Sequence, residues 1–245
     1  MTRRLFGTVL LTLLVLGMAT PAMAFRLVPI EMEFAPAGRG ATQTFRLEND
    51  TADPVAVEIR MMSRRMTEQG EDQLEDAADK FTVYPEQVVL QPNQSQSVRV
   101  QWTGEANPAK ELAFRLVAEQ LPVDLGRAPP QGGQVRLLVR YVASLYVTPP
   151  GSKSDVKVVS VEPKSTPQGK RLEVTVANRG TMRQILREPT LTVQAGSKSI
   201  DLRGEQLTGM AGENVLAGGV RRFLIPMPAA LAQGPLHASL VLPGR

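Results

Sequence analysis

The sequence predicts an all-β protein made of two β-sandwich domains, and three observations lead to this prediction. Short strand-like segments follow one another along the chain, separated by turn formers such as Asn49-Asp50 and Pro92-Asn93. None of the helical patterns that a βαβ fold would need lies between them. Pro149-Pro150-Gly151 interrupts the strand pattern, because proline lacks the N–H that a sheet requires. We therefore predict two domains, at residues 25–148 and 149–245.

Each predicted domain contains several short segments rich in apolar and β-branched residues, and we predict these segments to be strands. In the first domain these segments are 45–48, 55–60, 81–84, 98–102 and 113–120, and in the second they are 156–161, 171–177, 191–194, 221–226 and 237–242. The glycine-rich stretch 204–219 is predicted to be a loose connection. Short strands at this spacing favour a sandwich.

The segment 68–80 is the main interruption of the pattern in the first domain. It carries five carboxylates, at Glu71, Asp72, Glu75, Asp76 and Asp79. We expect a solvated loop or a single helical turn there. A metal site is the alternative, but the spacing does not fit a calcium loop with its turn glycine and terminal glutamate. We therefore expect no metal and no other cofactor.

The first 24 residues have the layout of a secretory signal peptide. Arg3 and Arg4 give a positive start, residues 5–17 are mostly apolar, and Ala22-Met23-Ala24 places small residues where a signal peptidase cleaves. The apolar run is too short for a membrane-spanning helix. We therefore expect an exported protein that is not inserted in a membrane, with an uncleaved membrane anchor as the alternative.

Composition excludes several classes of protein. The chain has no cysteine, which excludes a thiol nucleophile, a CxxC redox site and a cysteine metal cage. Its net charge falls from +4 to +2 once the two arginines of residues 1–24 are removed. The remaining basic residues are interspersed with acids, and the chain has one Trp and three Tyr. Because nucleic-acid binding needs a basic face with stacking aromatics, we expect no nucleic-acid partner.

No pattern of a catalytic site stands out. His237, the only histidine, lies in an apolar strand pattern, and no G-x-S-x-G motif accompanies it. Gly38-Arg39-Gly40 lacks the third glycine and the lysine of a nucleotide loop. We therefore predict that the protein is not an enzyme; paired carboxylates, which lie mostly in loops and turns, are the alternative that the sequence leaves open.

The longest strand pattern is the segment 133–147, GQVRLLVRYVASLYV. Every second residue is apolar: Val135, Leu137, Val139, Tyr141, Ala143, Leu145 and Val147. At about 3.3 Å per residue such a strand would present an apolar row of roughly 45 Å. One interpretation is a long core strand that joins the two domains. The other is a strand whose first half extends beyond its own domain and is added to a partner's sheet, since an exposed apolar edge otherwise promotes aggregation.

Several stretches of the first domain are similar to one known family. Residues 44–49 (TFRLEN), 81–85 (FTVYP), 90–95 (LQPNQS) with 98–100 (VRV), and 111–122 (ELAFRLVAEQLP) precede the long strand. Together with the export segment they resemble the periplasmic pilus chaperones of the chaperone–usher pathway, which are PapD-like. The stretch AFRLVAEQLP is most similar to the archaic branch of this family. The resemblance covers roughly residues 25–150, and the second domain matches only in size and β character.

This resemblance implies two immunoglobulin-like sandwiches and a definite activity. Such a chaperone acts in the periplasm, caps a pilus subunit that lacks its last strand by donor-strand complementation, and passes it to an outer-membrane usher. The donor positions would be Val135, Leu137 and Val139, with Tyr141 extending the row. Self-association of the free protein would be one way to cover the exposed strand.

One feature of the family pattern is absent from this sequence. Better-known members hold the subunit's C-terminal carboxylate with an Arg on the first strand and a Lys near the end of the donor strand, but Glu31 and Ser144 stand at those places. Arg115, in the strand before the donor strand, and Arg140, on the donor strand, are the candidate replacements. Arginine suits this role because its planar fork binds both carboxylate oxygens. The alternative for each is a surface or interdomain salt bridge.

An exported pilus subunit or adhesin is the alternative function. Such subunits carry a donor segment at the mature N-terminus, whereas here residues 25–29 are short and end at Pro29, and the long alternating strand lies in the middle of the chain. These differences favour the chaperone.

Overall fold

The structure, a computed structural model, describes residues 25–123, 125, 137–167, 169–228, 231 and 235–243. The predicted signal segment 1–24 and Val135 lie outside these residues. In the part of the chain that is described, the regular structure consists of eighteen β-strands and three short 3-10 helices, which confirms the all-β prediction. No helix in these residues is long and apolar enough to cross a membrane.

The first domain is a sandwich of two sheets. The strands of one sheet are, in spatial order, β1 (Arg26–Val28), β3 (Thr42–Glu48), β8 (Ser95–Trp102) and β6 (Phe81–Tyr84). The strands of the other are β2 (Glu31–Phe34), β10 (Arg140–Val147), β9 (Leu112–Gln120), β4 (Val55–Met66) and β5 (Asp72–Asp76), and β7 (Gln87–Leu90) also pairs with β4. The face of this second sheet that points away from the core is called the outer face below.

The chain changes sheets between its first two strands. Strand β1 pairs with β3 in the first sheet, and two residues later β2 joins the second sheet, parallel to β10. Pro29 lies at this change, where no ladder hydrogen bond from its nitrogen is needed. The parallel pairing runs only from Glu31 beside Ser144 to Phe34 beside Val147.

Alternating side chains of both sheets fill the core. In β8, Val98, Val100 and Trp102 are buried while the residues between them face solvent. An aromatic cluster lies between the sheets, where the ring of Phe81 contacts those of Trp102 at 5.1 Å and Phe114 at 5.0 Å, edge to face. Edge-to-face contacts of this kind add to the stabilisation that burial provides.

The acidic segment 68–80 differs in part from its prediction. A helical turn is present at Ala78–Lys80, but Asp72–Asp76 forms strand β5, which pairs with the end of β4. The sequence gives no sign of this strand because four of its five residues are exposed and the fifth, Leu74, is half-buried. A strand without a buried face has no apolar alternation from which to predict it.

The second domain has its own core. Its strands form three sheets: β11 (Val156–Thr166), β12 (Gly169–Asn178) and β17 (Val220–Pro226); β15 (Lys198–Leu202), β14 (Thr190–Ala195) and β18 (Leu236–Val241); and the pair β13 (Gln184–Ile185) and β16 (Asn214–Val215). The stretch 204–219 is more ordered than predicted, since it begins with a 3-10 helix and buries Leu207 and Met210 completely. The two cores share no residue, and the boundary after residue 148 stays a prediction.

The contrast between the two ends of β10 gives a stability test. Leu145 is completely buried in the first core, whereas Leu137, which precedes the strand, is 79% exposed. Leu145→Ala should lower the free energy of unfolding by about 2–5 kcal/mol, because it leaves a cavity. Leu137→Ala should change it by no more than about 0.5 kcal/mol. Urea denaturation followed by Trp102 fluorescence measures both, and equal losses would show that Leu137 belongs to the core.

Candidate functional site

Strand β10 has an edge that is only half covered. Strand β9 pairs with it antiparallel along the whole of Arg140–Val147. On the other side β2 pairs with it only from Ser144 onward. Over residues 140–143, no strand in the described part of the chain lies against this second edge.

The backbone groups of this edge point outward. The N–H of Gln120 donates to the carbonyl of Val139 at 3.0 Å on the β9 side, and the N–H of Ser144 donates to the carbonyl of Ile30 at 2.8 Å on the β2 side. Because successive residues of a strand direct their N–H and C=O to opposite sides, Arg140 and Val142 direct theirs to the open edge. This edge can therefore accept another strand.

Apolar side chains cluster around the open edge. Leu137 is 79% exposed, Leu138 47% and Val142 42%. On the segment that leads into β2, Ile30 and Val28 are also exposed. Exposed apolar side chains beside free backbone groups form a surface that aggregates unless a partner covers it.

The predicted donor residues lie in different environments. Leu137 projects into solvent, while Val139 and Tyr141 pack against the edge of the first core. The ring of Tyr141 contacts that of Phe25 edge to face at 5.1 Å. Further along the strand, Ala143, Leu145 and Val147 are fully buried. The row is therefore core at one end and exposed at the other.

Arg115 lies beside Ser144 and on the same sheet face as Glu31, the two positions at which this sequence lacks the cations of the family pattern. Ser144 is opposite Arg115 on one side of β10 and opposite Glu31 on the other, so the three side chains share the outer face. The Nη1 of Arg115 donates to the Ser144 hydroxyl. Its Nε and Nη2 reach Oδ2 of Asp72 at 2.8 Å and 2.6 Å. Arg115 therefore lies next to Ser144 and is already paired with the carboxylate of Asp72, and its role as an anchor stays a prediction.

A second arginine shares the carboxylate of Asp72. The Nε of Arg64 donates to Oδ1 of Asp72 at 2.7 Å, and its Nη1 donates to the hydroxyl of Tyr146 at 3.2 Å. The Arg64 side chain is only 6% exposed. Two guanidinium groups therefore face one carboxylate, which leaves one positive charge uncompensated within this cluster.

Arg183, a residue of the second domain, lies over the part of the outer face that the C-terminal end of β10 forms. It lies over the ring of Tyr146 with 3.6 Å between the guanidinium carbon and the ring centre. It contacts Glu111 at 2.7 Å, Glu33 at 2.7 Å and Glu31 at 3.2 Å. Burial opposes its charge, but the charge of Glu111 and the hydrogen bond to Glu33 outweigh this and raise the pKa of Arg183 above its ordinary value. These contacts hold the second domain against the first.

Arg140, the other candidate, is separate from this network. It is exposed on β10 opposite Glu119, and Glu119 is engaged by Arg60 at 2.5 Å. Arg140 makes no ion pair with any residue that the structure describes. It stands at the open edge rather than beside Ser144.

Sequence reasoning missed Asp72, the ion-pair partner of Arg115, and the other residues of this network. Asp72 lies in a segment predicted as loop, and Arg64, Tyr146 and Arg183 come from distant parts of the chain. The acidic segment forms no group of carboxylates able to hold a metal among the described residues.

Family comparison agrees with this architecture. Residues 35–153 match the family model of pili and flagellar-assembly chaperones, PapD N-terminal domain. These residues belong to the PapD-like chaperone family. The description of this family is that of a chaperone, which agrees with the family resemblance found in the sequence. Among curated protein sequences, none matches this chain.

Several solved structures share the two-domain fold of this chain. The class 5 fimbriae chaperone CfaA is 14% identical with a TM-score of 0.55, over 89% of this chain and 99% of that one. A chain of the CsuC–CsuE chaperone–tip subunit complex, from the archaic Csu pili of Acinetobacter baumannii, is 16% identical with a TM-score of 0.55, over 88% and 98%. A chain of the Salmonella enterica SafA pilin–SafB chaperone complex is 16% identical with a TM-score of 0.53, over 91% and 98%. At these identities the likeness concerns the fold.

Removing Arg183 tests how the two domains are held together. Arg183→Met should lower the free energy of unfolding by about 3–5 kcal/mol, because Glu111 stays buried without its cation. Arg183→Met/Glu111→Gln should regain part of this loss, since no uncompensated charge stays behind. Urea denaturation measures both.

The control is Arg203→Met, which removes an exposed arginine paired with Asp201 at 3.0 Å. Its effect should stay below about 1 kcal/mol. If Arg183→Met costs no more than this control, Arg183 does not hold the domains together.

Proposed function

We propose that this protein is a periplasmic chaperone that captures pilus subunits by lending them strand β10 and then delivers them to an outer-membrane usher. The open edge of β10 at residues 140–143 is the observation that carries this proposal. A subunit lacking one strand would place its own strand against the outward N–H and C=O groups of Arg140 and Val142. Adding a strand in this way needs no covalent chemistry and no cofactor.

The row of alternating apolar residues also supports capture by strand β10. Val135, Leu137, Val139 and Tyr141 continue the row that Ala143, Leu145 and Val147 begin inside the first core. A subunit that receives the first four residues would extend the chaperone's own core without a break. Val135 lies outside the described residues, so its part in the row rests on the sequence.

The energy available is adequate for capture. Full burial of Leu137 would contribute about 1.5–3 kcal/mol, and Val139, already half-buried, would add less. Each backbone hydrogen bond along the edge would add about 0.5–1.5 kcal/mol net. Several such terms together hold a subunit firmly, yet a competing strand can replace them one at a time.

We assign Arg115 as the first candidate for binding the subunit's C-terminal carboxylate, and Arg140 as the second. Arg115 stands beside Ser144 and shares the outer face with Glu31, the two places at which better-known relatives carry cations. Its cluster with Arg64 has one positive charge more than the carboxylate of Asp72 compensates. Arg140 would serve a carboxylate that ends at the open edge instead.

The location follows from the export segment and the family. Residues 1–24 would be cleaved on export, which leaves the chaperone free in the periplasm. There it would meet unfolded subunits on one side and the usher on the other. Self-association through the open edge would protect Leu137 when no subunit is bound.

Replacing an exposed apolar residue of the row with a charged one tests whether this row captures the subunit. Leu137→Arg should abolish subunit capture, because a charged side chain cannot enter the subunit core, and it should leave the free energy of unfolding unchanged. The measurement is a pull-down of the tagged mature protein co-expressed with pilus subunits, with intact-mass analysis of what it binds.

Leu224→Arg is the matched control, since Leu224 is 44% exposed on a strand of the second domain. It should capture subunits as well as the wild type. Capture that survives Leu137→Arg, or a wild type that captures no subunit, would refute the proposal.

The carboxylate anchor has its own test. Arg115→Ala should weaken capture by about 10- to 100-fold, the loss expected for one hydrogen-bonded ion pair. Arg140→Ala should have a smaller effect. Affinities of purified variants for one captured subunit measure both, and an unchanged affinity of Arg115→Ala with a reduced one of Arg140→Ala would move the anchor to the open edge.

A further inference from the structure

The carboxylate of Asp72 lies between Arg64 and Arg115, the two arginines that form a cationic cluster on the outer face. It bridges two arginines, with Oδ1 on Arg64 and Oδ2 on Arg115. An ion-paired carboxylate held by two guanidinium groups is the arrangement that a bound carboxylate ligand would also adopt. The free protein thus already contains, within its own chain, the chemical group that the cluster would bind.

The three side chains are not held equally. Arg115 projects from β9, which pairs with β10 at Ser144 on one edge and with β4 at Met62 on the other, and Arg64 projects from the end of β4, where it pairs with Leu74 of β5. Asp72 is the first residue of β5, which pairs only with β4 and buries none of its residues. The Asp72 side chain is 23% exposed, against 6% for Arg64 and 16% for Arg115. A change of the Asp72 rotamer would therefore move its carboxylate into water while both arginines stay in place.

The charges leave room for a second carboxylate. Arg115 directs Nη1 to the neutral hydroxyl of Ser144 and not to an acid. The nearest acid across β10, Glu31, is engaged by Arg183 at 3.2 Å. An incoming carboxylate would bind Arg115 beside Ser144 and would repel Asp72, because two carboxylates on one guanidinium lie within a few ångströms.

We infer that Asp72 is a resident competitor for the partner's C-terminal carboxylate: it keeps Arg115 and Arg64 paired and positioned in the free protein, and it lowers the affinity for the incoming group. This inference rests on the proposed function, because it takes the carboxylate to be that of a captured subunit. Asp72 is thus a positioning residue that sets the affinity for the subunit's C-terminal carboxylate. A lower affinity for this carboxylate favours the later release of the subunit.

The experiment compares Asp72→Asn with wild type, using one subunit that the wild type captures. The subunit is prepared with its natural C-terminal carboxylate and with an amidated C terminus. Asp72→Asn should bind the carboxylate form about three- to tenfold more tightly, because one like charge is removed from the site. It should bind the amidated form as the wild type does.

Asp76→Asn is the matched control. Asp76 stands four residues along β5 on the same face, and within the described part of the chain its carboxylate accepts a hydrogen bond only from the backbone N–H of Ala78. This variant removes one negative charge from the same strand without touching the arginines, so its affinities should equal those of the wild type. An equal gain in both control and test variant would assign the effect to general charge and overturn the inference.

A second variant covers the case in which Asp72→Asn does not fold, since it leaves Arg64 without a counter-charge. Arg64→Met/Asp72→Asn removes the buried cation together with its partner, and Arg64→Met is its reference. The double variant should again prefer the carboxylate form more strongly than its reference does.

The outcomes separate the two proposals. A wild type that captures no subunit refutes the proposed function and the inference with it. Capture by the wild type with no selective gain for the carboxylate form in the Asp72 variants overturns only the role of Asp72.

Discussion

Strand β10 has neighbours on both edges for only half of its length. From Ser144 onward it lies between β9 and β2, and the side chains of Leu145 and Val147 belong to the first core. Over residues 140–143, no strand of the described part of the chain lies against the edge of β10 that faces away from β9. Leu137 and Leu138, which precede β10, are exposed. Because buried backbone groups must be paired, the open half stays at the surface until another strand covers it. The rest of the molecule follows from this: β9 and the first core fix one half of β10 so that the other half is presented in an extended form.

The second domain fixes the surroundings of that strand. Arg183 lies over Tyr146 and contacts three carboxylates of the first domain, while the β4–β5 hairpin reaches back to contact Arg222 through Glu68 at 2.5 Å. The contacts of Arg183 lie over the outer face of the sheet that contains β10. Arg115 and Asp72 lie on the same face, and in the proposed capture a subunit would contact both this face and the open edge.

The sequence predicted what depends on local pattern. Alternation identified β8 and the apolar row of β10, and the strand before β10 that carries Arg115 was also predicted, but the contact of Arg115 with Ser144 was not. What it missed depends on pairing between distant segments. Strand β5 has no apolar face, so only its pairing with β4 makes it a strand, and with it Asp72 reaches Arg115. Arg183 meets Glu31 and Glu33 across about 150 residues, which no local pattern indicates.

Amide hydrogen exchange along β10 tests the central claim most directly. In the free protein, the N–H groups of Tyr141 and Ala143 should be protected by β9, while those of Arg140 and Val142 should exchange freely at the open edge. With a captured subunit bound, Arg140 and Val142 should become protected, and Tyr141 and Ala143 should stay so. Protection of Arg140 and Val142 in the free monomer, or no change when the subunit binds, would contradict the account of β10 as a strand that is lent to a partner.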